Sequence, residues 1–233
     1  MNNDDPIFQN PLTHLEYDTE DLLPLGGFGA VVARAGVGKT SFLVQLALNT
    51  LSRQKNVLHI SCKDPIDKVN LWYKEVFNNL VTSGTFEEPD GLWEWLLTNR
   101  VIMTFKTTDF TIPMLKDRIT DLIDQARFSP QTIIIDSLPF KSSLQNSLAN
   151  LKAIAKINAF RVWFAVTSHR HETTGPDYIP GPLSAVADLF ETIIQLQPEG
   201  KKIHVKIIKG RPKTSDRPRL FLDPSTLLIQ ASH

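Results

Sequence analysis

Residues 28–40 read Phe-Gly-Ala-Val-Val-Ala-Arg-Ala-Gly-Val-Gly-Lys-Thr. An apolar run from Phe28 to Ala33 gives way to a short glycine-bearing loop that ends in Lys39-Thr40. Residues 33–40 match the phosphate-loop pattern G-x-x-x-x-G-K-[ST] except at the first position, where Ala33 replaces glycine. The spacing has a chemical reason. A polyphosphate is held by successive backbone N–H groups turned inward. Gly36 and Gly38 permit the backbone angles and close approach that a Cβ blocks, and the helix that follows aims its N-terminus at the anion. The expected nucleotide-binding residues are therefore Arg34, Ala35, Gly36, Val37, Gly38, Lys39, Thr40 and Ser41. Lys39 would reach the β- and γ-phosphates, and the Thr40 hydroxyl would ligate Mg²⁺. Ala33 joins strand to loop and need not touch phosphate.

The context on both sides supports this reading. From Thr40 to about Leu51 the apolar residues Leu43, Leu46 and Ala47, with Thr50, keep helical spacing. Val57–Ser61 reads as a second strand. Val69, Trp72, Tyr73, Val76, Phe77 and Leu80 predict an amphipathic helix over 66–80. A polar loop over 83–90, a short helix over 91–97 and a strand at Val101–Thr104 follow. Leu115, Ile119, Leu122 and Ala126 mark a helix, Thr132–Asp136 an apolar strand tipped by an acid, Leu144, Leu148, Leu151 and Ala155 another helix, and Val162–Thr167 another strand. Continuous apolar strands alternating with helices predict a parallel sheet covered on both faces. The tail changes character. Ile193–Leu196, Ile203–Lys209, Arg219–Leu222 and Thr226–Gln230 are short strands split by turn signals such as Pro198-Glu199-Gly200. The expected fold is α/β: a mostly parallel sheet flanked by helices, with antiparallel C-terminal strands. Residues 1–24, broken by Pro6, Pro11 and Pro24, read as an irregular arm ahead of a domain over 25–233.

Length and composition agree. A chain of 233 residues suits one α/β domain, and 42% hydrophobic with 21% charged residues is ordinary for a globular protein. No apolar run approaches the ~20 residues that cross a bilayer. The polar, acidic start lacks the pattern of a secretory signal, so a cytoplasmic location is the expectation. Acidic and basic residues balance at 25 each, which gives no argument for nucleic-acid binding. Cys62 is the only cysteine, expected to pack as a buried, inert thiol. His14, His59, His171, His204 and His233 form no metal-ligand spacing with one another or with Cys62, and the adjacent pair His169 and His171 is weak, so no zinc site is expected.

Gln-Thr-Ile-Ile-Ile-Asp-Ser at 131–137 supplies the acid that a phosphate loop needs. A strand buried on both faces delivers Asp136 to the carboxyl edge of the sheet, where it would hold Mg²⁺ opposite Thr40. With these two motifs the chain resembles the RecA-like P-loop ATPase superfamily. Its nearest patterns are KaiC- and RadA-type proteins and the RepA-type hexameric helicases of plasmids. Leu25-Gly26-Gly27-Phe28 is similar to the approach to the loop in KaiC-type proteins, and Gly181–Asp188 to the helix they place after a mobile loop. Lys209-Gly210-Arg211 is similar to their Lys-x-Arg element.

The resemblance implies more than the motifs do. The strand ending in Thr167-Ser168-His169 would lie between the phosphate-loop strand and the Asp136 strand, letting Ser168 or, with its longer reach, His169 sense the γ-phosphate. Lys209 and Arg211 would reach a neighbouring subunit's γ-phosphate, which implies a homo-oligomer, a ring such as a hexamer or a filament. The alternative for Lys206 through Lys213 is a solvated basic hairpin. One departure matters: the glutamate that activates water in the superfamily aligns with Lys63, in Lys63-Asp64-Pro65. Asp64 is the nearest substitute, from a different backbone position. ATP binding, with Mg²⁺, is thus a firmer expectation than hydrolysis, and the leading function is an ATPase or ATP-dependent switch whose turnover Lys63 would slow. The rival is a helicase or recombination motor on single-stranded DNA. Its loops, 137–147 and 170–182, hold few cations: Lys141 in one, and Arg170 offset by Glu172 and Asp177 in the other. Phe140 and Tyr178 would stack on bases or pack internally. The absence of an Asn-Lys-x-Asp signature favours ATP over GTP.

Overall fold

The computed structural model describes residues 23–83, 91–106, 111–125, 128–140, 144–168, 179–210 and 219–232. Among them one sheet is formed by β1 (Phe28–Ala33), β2 (Val57–Ser61), β3 (Arg100–Thr104), β4 (Thr132–Asp136), β5 (Arg161–Thr167), β6 (Thr192–Glu199), β7 (Lys202–Lys209), β8 (Arg219–Leu222) and β9 (Ile229–Ser232). Their order is β3-β2-β4-β5-β1-β6-β7-β8-β9. From β3 to β6 every pairing is parallel. From β6 to β9 every pairing is antiparallel. The chain thus builds a mostly parallel α/β sheet and closes it with an antiparallel wing.

Alternation along the strands sorts the core into two layers. Val31, Ala33, Ile134, Trp163 and Ala165 face one side, with α1 (Lys39–Ser52), α2 (Ile66–Ser83) and α3 (Leu92–Leu97). Ala30, Val32, Ile133, Ile135, Val162 and Phe164 face the other, with α4 (Ile112–Asp124) and α5 (Gln145–Ile157). Being covered on both faces explains why β1 and β4 carry no exposed position. Each helix follows from its own sequence. α1 is buried almost all round, which places it centrally under the sheet. α2 buries only Val69, Tyr73, Val76 and Phe77, a stripe at helical spacing. In α4, Thr111 accepts a hydrogen bond from the Met114 N–H at 3.3 Å and Pro113 stands in the first turn, two start signals together. The described chain opens at Leu23, which is buried in the first layer and whose carbonyl accepts from Arg161 Nε at 2.7 Å.

Most boundaries fall within a few residues of expectation, and three of the differences have a physical reason or fall at the limit of the described residues. The break foreseen at Pro198-Glu199-Gly200 falls later: β6 runs through Glu199, and Gly200-Lys201 makes the turn. β6 pairs with β1 only as far as Gln195, so a residue lacking an N–H is tolerated at Pro198. The last strand begins at Ile229 rather than Thr226. Residues 223–228 instead close a turn, with the Asp223 carboxylate accepting from the Ser225 N–H at 2.8 Å and the Leu227 N–H donating to the Asp223 carbonyl at 2.7 Å. α4 ends at Asp124, short of Ala126, which lies outside the described residues. The loop expected at 83–90 lies, from 84 on, outside them too. No helix among the described residues is long and apolar enough to cross a membrane.

Candidate functional site

β1 ends at Ala33, and residues 34–38 turn the chain into α1. Gly36 and Gly38 hold φ of +77° and +100°, angles that L side chains rarely adopt. At Gly36 a Cβ would meet nothing within 4 Å, so its constraint is conformational. At Gly38 it would also stand 2.4 Å from Leu222 Cδ2. Gly38 is the residue before the helix. Its carbonyl accepts from the Phe42 N–H at 3.0 Å and the Ser41 hydroxyl at 2.8 Å. Arg34, Ala35 and Gly36 are exposed, Val37, Gly38 and Thr40 half-buried, and Lys39 and Ser41 buried. The Lys39 ammonium donates to the carbonyls of Ala33 and Arg34, each at 3.0 Å, and so rests on its own loop.

β4 lies beside β2 and β5, with Ser61 opposite Asp136 at the shared carboxyl edge. The Thr40 hydroxyl donates to Asp136 Oδ2 at 2.7 Å, across 96 positions of sequence. The Ser137 hydroxyl donates to Oδ1 at 3.1 Å from a residue whose φ is +63°, an uncommon angle for a side chain other than glycine. Burial pushes the Asp136 carboxyl above its usual range. The hydrogen bonds from Thr40 and Ser137 and the charge of Lys39 oppose that, while Asp64 adds to it. Burial lowers the Lys39 pKa, Asp136 works against this, and Lys63 lowers it further. Cation and carboxylate thus meet in a place that penalises both charges, which a polyphosphate and a metal ion would relieve. Hydroxyl and carboxylate oxygens are the donors Mg²⁺ takes, and it draws its remaining ligands from water and phosphate. The described residues hold no cluster of three His, Cys, Asp or Glu able to grip a metal alone. Thr40 and Asp136 fit Mg²⁺ on that basis.

The other expected residues divide. β5 stands between β1 and β4, its Thr167 opposite Ala33, and the Ser168 N–H donates to the Ala33 carbonyl at 3.1 Å. Ser168 therefore adjoins the loop, while His169 lies outside the described residues. Lys63 is exposed near enough to act on Lys39. Asp64 acts on Asp136, but its carboxylate holds Lys68 Nζ at 2.9 Å. Lys209 is not brought to this site. It pairs with Ile193, which pairs with Ala30, so it sits toward the amino end of the strands, its ammonium donating to the Ala187 carbonyl at 2.9 Å. Arg211, Lys141, Arg170 and Tyr178 lie outside the described residues. Phe140 packs internally, with ring centroids 5.9 Å from Phe164 and 6.3 Å from Phe190. Cys62 is fully buried, and burial first, then Asp136, pushes its thiol up to about 12, which leaves it inert at neutral pH.

Sequence reasoning passed over Ser137, whose only local signal is its place after the acid. It also passed over Leu222 and Gln45, which have none: their contacts with the loop and its helix are long-range. No curated protein matches the chain. Residues 3–171 match the AAA domain family, a span that runs from ahead of the phosphate loop to just past the tip of β5 and takes in Asp136. On that match the chain belongs to the AAA domain family, a family of P-loop ATPases.

Proposed function

We propose that this chain binds Mg·ATP between residues 34–41 and Asp136 and works as an oligomeric, ATP-dependent switch that hydrolyses slowly. The observation that carries the reading is the 2.7 Å bond between Thr40 Oγ1 and Asp136 Oδ2 beside a buried Lys39. Thr40 and Asp136 would hold Mg²⁺, which supplies positive charge to the β- and γ-phosphate oxygens. Lys39 would leave the carbonyls of Ala33 and Arg34 for those oxygens, and the loop amides would orient the polyphosphate. Ser168 and His169, at and beyond the tip of β5, would read the terminal phosphate.

Slow turnover follows from what stands near the site. Lys63 adds positive charge, which favours a bound phosphate and cannot take a proton from water in its ammonium form. Asp64 keeps its carboxylate on Lys68. Removing a general base costs about 10²–10⁴ in rate. Lys209, remote from the loop of its own chain, and Arg211 would serve a site on another copy, which is why the switch is read as oligomeric. The test is calorimetric titration of ATP with and without Mg²⁺ on wild type and Thr40→Ala, with turnover and oligomeric state measured in parallel. The expected result is Mg²⁺-dependent binding that Thr40→Ala weakens about tenfold or more, with turnover unaffected by single-stranded DNA. ATP binding indifferent to Mg²⁺ and to Thr40 would sink the site assignment. Strong stimulation by single-stranded DNA would replace the switch with the motor reading.

A further inference from the structure

Gly38 is hemmed in by a residue from the far end of the chain. Leu222, the last residue of β8, is fully buried, and its Cδ2 occupies the space where a Cβ on Gly38 would fall. A second contact follows about two turns into α1. The buried Gln45 side chain donates through Nε2 to the Leu227 carbonyl at 2.8 Å and accepts through Oε1 from the Ile229 N–H at 2.9 Å. The same Nε2 lies 3.3 Å from the Ser41 carbonyl, and the Ser41 hydroxyl donates to the Gly38 carbonyl at 2.8 Å. Leu222, Gly38, Ser41, Gln45 and the turn at 223–228 therefore make a closed ring of contacts. Its outer arc is stiff. The Asp223 N–H donates to the Leu228 carbonyl at 2.9 Å, Leu227 is held at φ +60°, and Asn79 Nδ2 of α2 donates to the Thr226 carbonyl at 2.7 Å.

We infer that the β8–β9 hairpin sets the conformation of the phosphate loop, with Leu222 and Gln45 as its positioning residues. The inference rests on the reading of residues 34–41 as a nucleotide site. Glycine has more conformational freedom to lose than any other residue, and a brace that restricts the loop beforehand raises affinity for the polyphosphate. Displacing the hairpin would break both of Gln45's bonds to the wing and uncover Leu222 together, so the hairpin is either seated or not. By linkage, seating and nucleotide affinity are coupled in both directions. A ligand that binds the seated and the displaced wing with different affinity would therefore shift nucleotide affinity, without touching Lys39, Thr40 or Asp136.

Leu220 provides the comparison. It lies on β8, is 2% exposed and packs in the same core layer, yet is not the residue against Gly38. The experiment measures the Mg·ATP dissociation constant by calorimetry and the ligand-free thermal midpoint for full-length wild type, Leu222→Ala, Gln45→Leu and Leu220→Ala. Leu222→Ala and Gln45→Leu are expected to weaken Mg·ATP about 5- to 100-fold, and Leu220→Ala to lower the thermal midpoint while holding the dissociation constant within about twofold. Hydrogen exchange gives the reciprocal readout: saturating Mg·ATP should slow exchange at the Ile229 amide in wild type and not in Leu222→Ala. If Leu222→Ala does not fold, Leu222→Val carries the same comparison with a smaller effect. Equal dissociation constants in Leu222→Ala and wild type, or equal weakening by Leu222→Ala and Leu220→Ala, would overturn the positioning role and leave the nucleotide site intact. Wild type that binds no ATP would overturn both.

Discussion

The parallel half of the sheet and its antiparallel wing divide the labour of the molecule. In β1, β2 and β4 every residue is buried, and at the carboxyl edge Asp136 lies opposite Ser61 and bonds Thr40 of the phosphate loop, while Ser168, just past β5, bonds the loop's first residue. In β7 no residue is fully buried, and its polar groups are spread along its length: Lys206 meets Glu199 at 2.9 Å, and His204 lies 3.6 Å from the same carboxylate. Parallel strands align their carboxyl ends and so collect chemistry at one edge. Antiparallel strands send alternate ends to opposite edges and collect none. The wing reaches the site by packing instead, through Leu222 and Gln45. The AAA domain match, ending at residue 171, covers the half that carries the motifs and stops before the half that braces them.

If that division holds, charge at the strand tips should matter to binding far more than to folding. Lys39→Met tests it most severely. The ammonium is buried, and burial lowers its pKa, so removing the charge relieves a desolvation cost that offsets the two lost bonds to Ala33 and Arg34. The expected outcome is a rise of about 100-fold in the Mg·ATP dissociation constant, the loss of charge-assisted hydrogen bonds, with ligand-free stability changed by less than about 1 kcal/mol. Calorimetric titration and denaturant unfolding of one preparation measure both. A large fall in ligand-free stability would show that Lys39 serves the fold as much as the site.

The buried half also encloses a titratable group that chemistry does not use. His59, on β2, is fully buried, with Nδ1 3.1 Å from the Tyr73 hydroxyl and Nε2 without a partner. Burial, and then the charge of Arg100, bring its pKa down to about 3. The folded state keeps the imidazole neutral while the unfolded chain takes up a proton below about pH 6.5, so the stability it contributes is present above that pH and lost as pH falls toward 3. Unfolding free energy should fall by about 2 kcal/mol between pH 7 and 5. His59→Gln keeps a hydrogen-bonding partner for Tyr73 without the titration. If the variant shows the wild-type slope in urea unfolding, the loss comes from elsewhere.

How much was legible in the sequence follows the same division. The strand–loop–helix at 28–52, Asp136 at a strand tip and nearly every parallel strand could be read because a run buried on both faces is largely apolar, while the place of β5 between β1 and β4 came from the resemblance. The wing was read less well. Pro198 looks like a terminator until β6 is seen to outrun β1, and Thr226 looks like a strand residue until Asp223 captures the chain in a turn. Within the site, Ser137 was missed because no sequence pattern announces a positive φ at a serine. Leu222 was missed because its contact with Gly38 spans most of the chain.

The smallest expected effect sharpens the comparison from the other side. Lys206 bridges Gln197 at 2.8 Å and Glu199 at 2.9 Å on the wing's surface, and the carboxylate pKa of Glu199 is lowered chiefly by that hydrogen bond. The pair is exposed, so water and salt screen it, and holding two long side chains in place costs the entropy that the contact returns. Lys206→Ala should leave both the thermal midpoint and the Mg·ATP dissociation constant at their wild-type values. Leu222→Ala, thirteen residues past the end of β7 in the same wing, should change both. The two substitutions separate a polar surface from a buried brace within one antiparallel unit. If Lys206→Ala alone weakened nucleotide binding, the wing's charge would be reaching the site directly, and packing through Leu222 would not be its only route there.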